Sequence, residues 1–177
     1  MPRIRKSVMT VVAAVAALGF VTMTTVAGAV TTGKPSAQDA NYLQTSISGD
    51  RFEIIGGRLA LRKGTTDQIR ALGRRLIKDH SKSLHEAIAE AREDNIKVPQ
   101  APTPSMVWEL NTVAAMSGSA FDHAYATLEV KDHQQDIEET TFEAQHGSDP
   151  SIKRDAKKEL PMLKMHLRLS TAAARGA

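Results

Sequence analysis

The 177-residue chain contains no cysteine. That excludes a disulfide framework, a thiolate nucleophile and the lipidated cysteine of a lipoprotein anchor. Aromatic residues are scarce, with one tryptophan, two tyrosines and four phenylalanines. No basic face interleaves with them, so nucleic acid is excluded as a partner. No stretch alternates apolar and polar residues as a half-buried strand does. There is no glycine-rich phosphate loop after a strand and no nucleophile-elbow serine motif. Neither sign of charge dominates: 23 Lys and Arg stand against 20 Asp and Glu. Arg3, Arg5 and Lys6 are the only charged residues among the first 29, so the remainder holds 20 of each sign.

Those three basic residues precede an apolar run from Val8 to Val26, and Ala27-Gly28-Ala29 has the small-x-small form of a signal peptidase site. Residues 1–29 are therefore expected to be a signal peptide and the chain an exported protein of the periplasm or cell envelope. The apolar run is long for a signal, which keeps an uncleaved N-terminal anchor as the alternative. No second apolar run follows, so no stable membrane span is expected after cleavage. A polar leader over residues 30–36 would lead into one domain over 37–174.

The domain reads as helices. Ser36 and Asp39 have capping-box spacing at the start of a first helix, Ala37 to Arg62. Its inner arc would carry Leu43, Ile47, Ile54 and Leu61, with Glu53, Gly57 and Ala60. After Gly64, a second helix from Asp67 to Asp94 places Ile69, Leu72, Leu76, Ile77, Leu84, Ile88 and Ala91 on one face, with His80 at its centre. Prolines between Val98 and Pro104 interrupt the helical pattern, and Pro104 opens a short helix to about Met116. Gly118 and Ser119 should cap a long helix through Phe121–Ala144 that Gly147 stops. Asp149-Pro150 starts a last helix to about Ala173, with Pro161 expected to kink it. Four long amphipathic helices with a longer central connection imply an all-α four-helix bundle carrying a short extra helix in the crossover. Trp108 and the methionines are expected to fill the core, and His85 and His123 to lie on the surface. His146 is expected near a helix C-terminus.

The segments Asp39-x2-Tyr42, Glu53-x3-Gly57-x-Leu59-Ala60, Asp79-His80, Phe121-Asp122-x2-Tyr125, His133 and Leu160-Pro161-x4-His166 follow one another in that order. The series resembles the exported bacterial family designated domain of unknown function 4142, whose members are often labelled outer-membrane proteins. The resemblance covers nearly all of the chain after the signal. It implies a ferritin-like bundle in the periplasm or envelope and carries no established activity.

The chemistry worth testing lies on the inner faces. On the third long helix Asp122, Glu129, His133, Asp136 and Thr140 form a polar band where apolar residues should be, and buried charge is costly unless paired or metal-bound. Glu53, His80, Glu129, His133, Asp136, Glu159 and His166 would come from all four long helices as a mixed imidazole and carboxylate set. Such ligands suit iron, manganese, zinc or copper. Asp122 or Tyr125 would orient an imidazole from behind. The set departs from the ferritin di-iron pattern of Glu-x-x-His, because Ile77, Val130 and Leu163 stand three residues before the three histidines. Two readings stay open: an envelope bundle of undefined activity with a metal-binding core, or a structural, partner-binding stress module whose polar core is only hydrogen-bonded. Fold analogy alone adds a third, a metal-dependent oxidoreductase. Neither an envelope partner nor an oligomeric state can be read from the residues.

Overall fold

The computed structural model describes residues 34–177. The signal expected over 1–29 and residues 30–33 of the leader lie outside the described residues. Five helices follow: α1 Ala37–Lys63, α2 Asp67–Glu93, α3 Pro104–Ala114, α4 Gly118–His146 and α5 Pro150–Gly176. There is no strand among the described residues, and none of the described helices is long and apolar enough to cross a membrane. This is the all-α, ferritin-like four-helix bundle expected, with α3 as the extra helix in the crossover.

Each start is fixed by a cap of the expected kind. Ser36 Oγ accepts from Asp39 N at 3.2 Å while Asp39 Oδ2 accepts from Ser36 N at 2.6 Å, closing the capping box. Thr66, Thr103 and Asp149 cap α2, α3 and α5 by a side-chain oxygen that accepts from backbone amides of the first turn, with a proline in the first turn of the last two. Only α4 differs. Ser117 is its N-cap without a side-chain bond, Gly118 takes φ +61°, and Ser119 already lies inside the helix. α2 ends at Asn95, held in the left-handed region at φ 57°. α5 runs through the exposed Pro161 as one helix.

Short turns make two antiparallel hairpins, α1 on α2 and α4 on α5. These pair α1 against α4 and α2 against α5, while α3 lies on α1 and α4. Side chains lock both ends. Asp122, at the start of α4, accepts from the backbone of Thr65 and Thr66 and from Thr65 Oγ1. At the other end Asp39 accepts from Ser148 N at 2.7 Å and Asp149 N at 3.2 Å. Burial works against the ionised Asp39 carboxyl, yet bonds from Ser36, Glu143 and Ser148 outweigh it and hold its pKa at about 2.

The α1–α2 crossing is backbone against backbone. A Cβ on Gly57 would come within 2.7 Å of Gly73 O, and one on Gly73 within 2.7 Å of Gly57 O. Around this contact lies one apolar cluster, including Leu59, Ile69, Leu76, Phe121 and Tyr125. A second cluster of Leu43, Ile47, Ala87, Ala91 and Ile152 fills the opposite end. Three core expectations fail. The methionines do not fill the core: Met116 is exposed just past the end of short α3, and Met106, Met162 and Met165 are only half-buried. Leu61 is exposed, because Ala60, one residue back, already faces α2. Trp108 is 69% exposed, because short α3 buries only Leu110 and Val113 and turns its other side to solvent.

Candidate metal centre

Between the two apolar clusters the core turns polar. His80 from α2, His133 from α4 and His166 from α5 are all but fully buried there, with ring centroids 5.1 to 5.7 Å apart. Each offers a ring nitrogen within 4.8 Å of the other two.

All three rings are held by one nitrogen. His80 Nδ1 lies 2.8 Å from Asp50 Oδ1, and His166 Nε2 lies 2.9 Å from Asp79 Oδ2. His133 Nδ1 donates to the Glu129 carbonyl oxygen at 2.8 Å, which can only accept. The network therefore assigns the proton of His133 to Nδ1 and anionic Asp79 assigns that of His166 to Nε2, whereas burial pushes Asp50 well above the ordinary aspartate range and lets it donate to His80 Nδ1. What remains is His80 Nε2, His133 Nε2 and His166 Nδ1, and each is buried without any partner. Burial, with mutual repulsion of the imidazoliums added for His133 and His166, pushes the three pKa values down to about 4, 3 and 4. At neutral pH these are three neutral imidazoles, and the unbonded nitrogens of His133 and His166 carry lone pairs.

The bonded edge of His133 faces a second group. Glu53 Oε1 and Glu129 Oε2 stand 3.9 and 3.8 Å from its Nδ1, and these three residues form a further potential ligand set. Both carboxyls are fully buried, and none of their four oxygens has a hydrogen-bond partner; the Tyr125 hydroxyl has none either. Burial raises Glu129 to about 8 and Glu53 well above its ordinary value, with the neighbouring Glu129 carboxylate adding to the effect on Glu53. Without a cation the pair holds at least one proton at neutral pH. Gly56 leaves space on its side, since a Cβ there would be 3.4 Å from Glu129 Oε1 and 3.6 Å from Tyr125 Cε2.

Five of the seven candidate residues, Glu53, His80, Glu129, His133 and His166, thus share one layer. Asp136 and Glu159 do not belong to either ligand set. They line a cavity of about 30 Å³ beside His80, together with Asp50 and Tyr42. Glu159 accepts from Ser83 Oγ at 2.6 Å and from Tyr42 OH at 3.2 Å. Burial lifts its pKa to about 6.

Asp122 orients no imidazole, because its carboxylate is spent on the α1–α2 turn. Tyr125 stands by the two glutamates instead of behind a histidine. The orienting carboxylates are Asp50 and Asp79, which the sequence reading did not single out for this role. Asp50 lies one turn before Glu53 and could have been found by that spacing. Asp79 was visible only as the neighbour of His80, whereas it serves His166 on another helix.

Three buried imidazoles, each held by one nitrogen to a carboxylate or a carbonyl and each offering a ring nitrogen within 4.8 Å of the other two, can coordinate a borderline transition-metal ion. Comparison with curated proteins finds no match. Among solved structures, a DUF305 fragment from Deinococcus radiodurans is similar in fold, with a TM-score of 0.72 at 10% identity. The alignment covers 82% of this chain and all of that one. The family model for the domain of unknown function DUF4142 matches residues 24–172. With that match over most of its length and a helical bundle of the expected kind, the chain belongs to the DUF4142 family.

Proposed function

We propose that this protein is an exported envelope protein that binds one transition-metal ion in its bundle core through His80, His133 and His166. The observation that carries the reading is the trio His80 Nε2, His133 Nε2 and His166 Nδ1, buried and unpartnered while each ring's other nitrogen is hydrogen-bonded. A buried polar nitrogen left without a partner costs about 1–3 kcal/mol. Three at one place are compensated together by one cation. An imidazole-rich set favours zinc, copper or iron over magnesium or calcium. Three protein ligands leave a coordination position for water or another small ligand. Glu53 and Glu129 would supply negative charge beside His133 on releasing their protons to a cation. Export rests on Arg3, Arg5 and Lys6 before the apolar run and on Ala27-Gly28-Ala29 after it.

The test is elemental analysis of protein purified without chelator or affinity histidines, alongside His133→Ala and His80→Ala. Near-stoichiometric zinc, copper or iron in the parent, absent from both variants, is the expected result. Its thermal midpoint should also rise on adding the metal, in the parent alone. Metal-free protein that takes up none of these ions would overturn the reading. The core would then be a purely structural polar layer and the function would lie in a partner.

A further inference from the structure

The three histidines are buried, each 2% exposed or less. An ion must therefore pass other side chains to reach them. A cleft of about 170 Å³ lies between α2 and α5, over Tyr42 and Ser46 of α1. Its walls carry Glu86 and Glu90 from α2 and Asp155 and Glu159 from α5. Lys82 and Lys158, also on the walls, both pair with Glu86 at 3.6 Å, and the Lys158 pair spans the two helices.

Adjoining this cleft is the smaller cavity of about 30 Å³, room for roughly one or two waters. His80 and Asp50 line it, and both are more than nine-tenths buried. His80 Nε2 and Asp50 Oδ2 have no partner. Glu159, with Tyr42 and Ser83, borders both spaces. Its own two bonds come from neutral hydroxyls, so no cationic side chain neutralises it there. The cleft also includes Asp79, whose carboxylate holds His166. It thus touches the support of His166, while Asp50, the support of His80, lines the smaller cavity.

We propose that a divalent cation enters the core through the α2–α5 cleft, with Glu159 as the relay ligand that passes it from the outer cleft to the cavity beside His80. Carboxylates replace part of the ion's hydration shell step by step: Glu90 and Asp155 outside, Glu159 at the partition, Asp50 and Asp136 within. Imidazole nitrogen takes over at His80. This gives Asp136 and Glu159 a part in metal handling outside the ligand sets. The inference rests on the three-histidine reading above.

The test is stopped-flow loading of purified protein with cobalt(II), followed by its visible absorbance, and release of the bound ion to excess chelator. Glu159→Gln keeps the size of the side chain and removes its charge, with one of the two hydroxyls, Ser83 or Tyr42, turning to accept from the amide. A relay changes the barrier and not the end states, so loading and release should both slow by about the same factor, roughly tenfold. Glu139→Gln, on the α1–α4 side of the same cavity, should leave both rates unchanged. Unchanged rates in Glu159→Gln would overturn the route. Slowing by Glu139→Gln alone would also overturn it and move the entrance between α1 and α4. Loss of the final absorbance in Glu159→Gln would make Glu159 a ligand and likewise refute a relay. If the parent itself takes up no cobalt, the three-histidine reading fails and the route with it.

Discussion

Asp79 Oδ2 lies 2.9 Å from His166 Nε2 and joins α2 to α5 across the bundle. The same carboxylate receives Arg75 Nε from one turn earlier on α2. Burial opposes the ionised form of Asp79, but His166 and Arg75 outweigh it and keep the pKa below the ordinary aspartate value. It is therefore an anion at neutral pH. It fixes the proton of His166 on Nε2, leaving Nδ1 as the nitrogen with a free lone pair.

Asp79→Asn should lower affinity for zinc or cobalt(II) by about 10- to 100-fold while the fold persists. The amide can still bond the imidazole, but it loses the charge that raises ligand basicity. Asp50→Asn should weaken binding less through His80, because burial raises the Asp50 pKa well above the ordinary aspartate value and leaves less charge to lose. Competition titration against a chromophoric chelator measures both. Parental affinity in both variants would show that these carboxylates tie helices together without supporting a site.

The buried glutamates predict how metal-free protein responds to pH. Glu129 has its folded pKa raised from 4.5 to about 8, so the folded state retains a proton that the unfolded state releases. Its contribution to stability is complete below about pH 4.5 and is lost as pH rises toward 8. The histidines work in the opposite sense. Their pKa values are lowered from 6.5 to about 3 and 4, so their cost appears only as pH falls below 6.5. Between pH 6.5 and 8 the carboxyl effect therefore stands without theirs. Glu129→Gln should shrink the loss of stability across that window by on the order of 1 kcal/mol per pH unit, measured by urea unfolding in the presence of chelator. An equal slope in parent and variant would mean that Glu129 is already ionised.

Two glycines of α1 should respond oppositely to alanine. At Gly57 a Cβ would meet Gly73 O at 2.7 Å and Ile77 Cγ1 at 2.8 Å, so Gly57→Ala should cost about 1–3 kcal/mol. At Gly49 a Cβ would have nothing within 4 Å, and Gly49→Ala should add about 0.5–1 kcal/mol by favouring the helix. Thermal unfolding of the two variants decides it. A stabilising Gly57→Ala would mean that α1 and α2 do not cross there.

The helices were legible because their ends are written in local chemistry. Ser36 with Asp39, Pro104, and Asp149 with Pro150 act over three or four residues, where spacing in the chain is spacing in the molecule. The inner faces of α2 and α4 were legible for a similar reason, since angular position around a helix follows from residue number. Depth along the bundle does not. Asp136 and Glu159 face inward as expected, yet outside the ligand sets, because the axial offset of one helix against another is decided by packing. The same limit hid the pairing of Asp79 with His166 and of Asp50 with His80. Trp108 failed differently. On a helix as short as α3, side-chain hydrophobicity outruns the area available to bury it.

The polar layer sits between two apolar clusters that are forgiving by nature, since aliphatic side chains accept many neighbours. Asp50–His80 and Asp79–His166 are directional and accept few. Sliding one helix by a turn, about 5.4 Å, would still bury leucine against leucine at either end. In the middle it would strand an imidazole or a carboxylate among methyl groups. The layer thus works as an index mark that selects one axial register for α1, α2 and α5, whatever ion it holds.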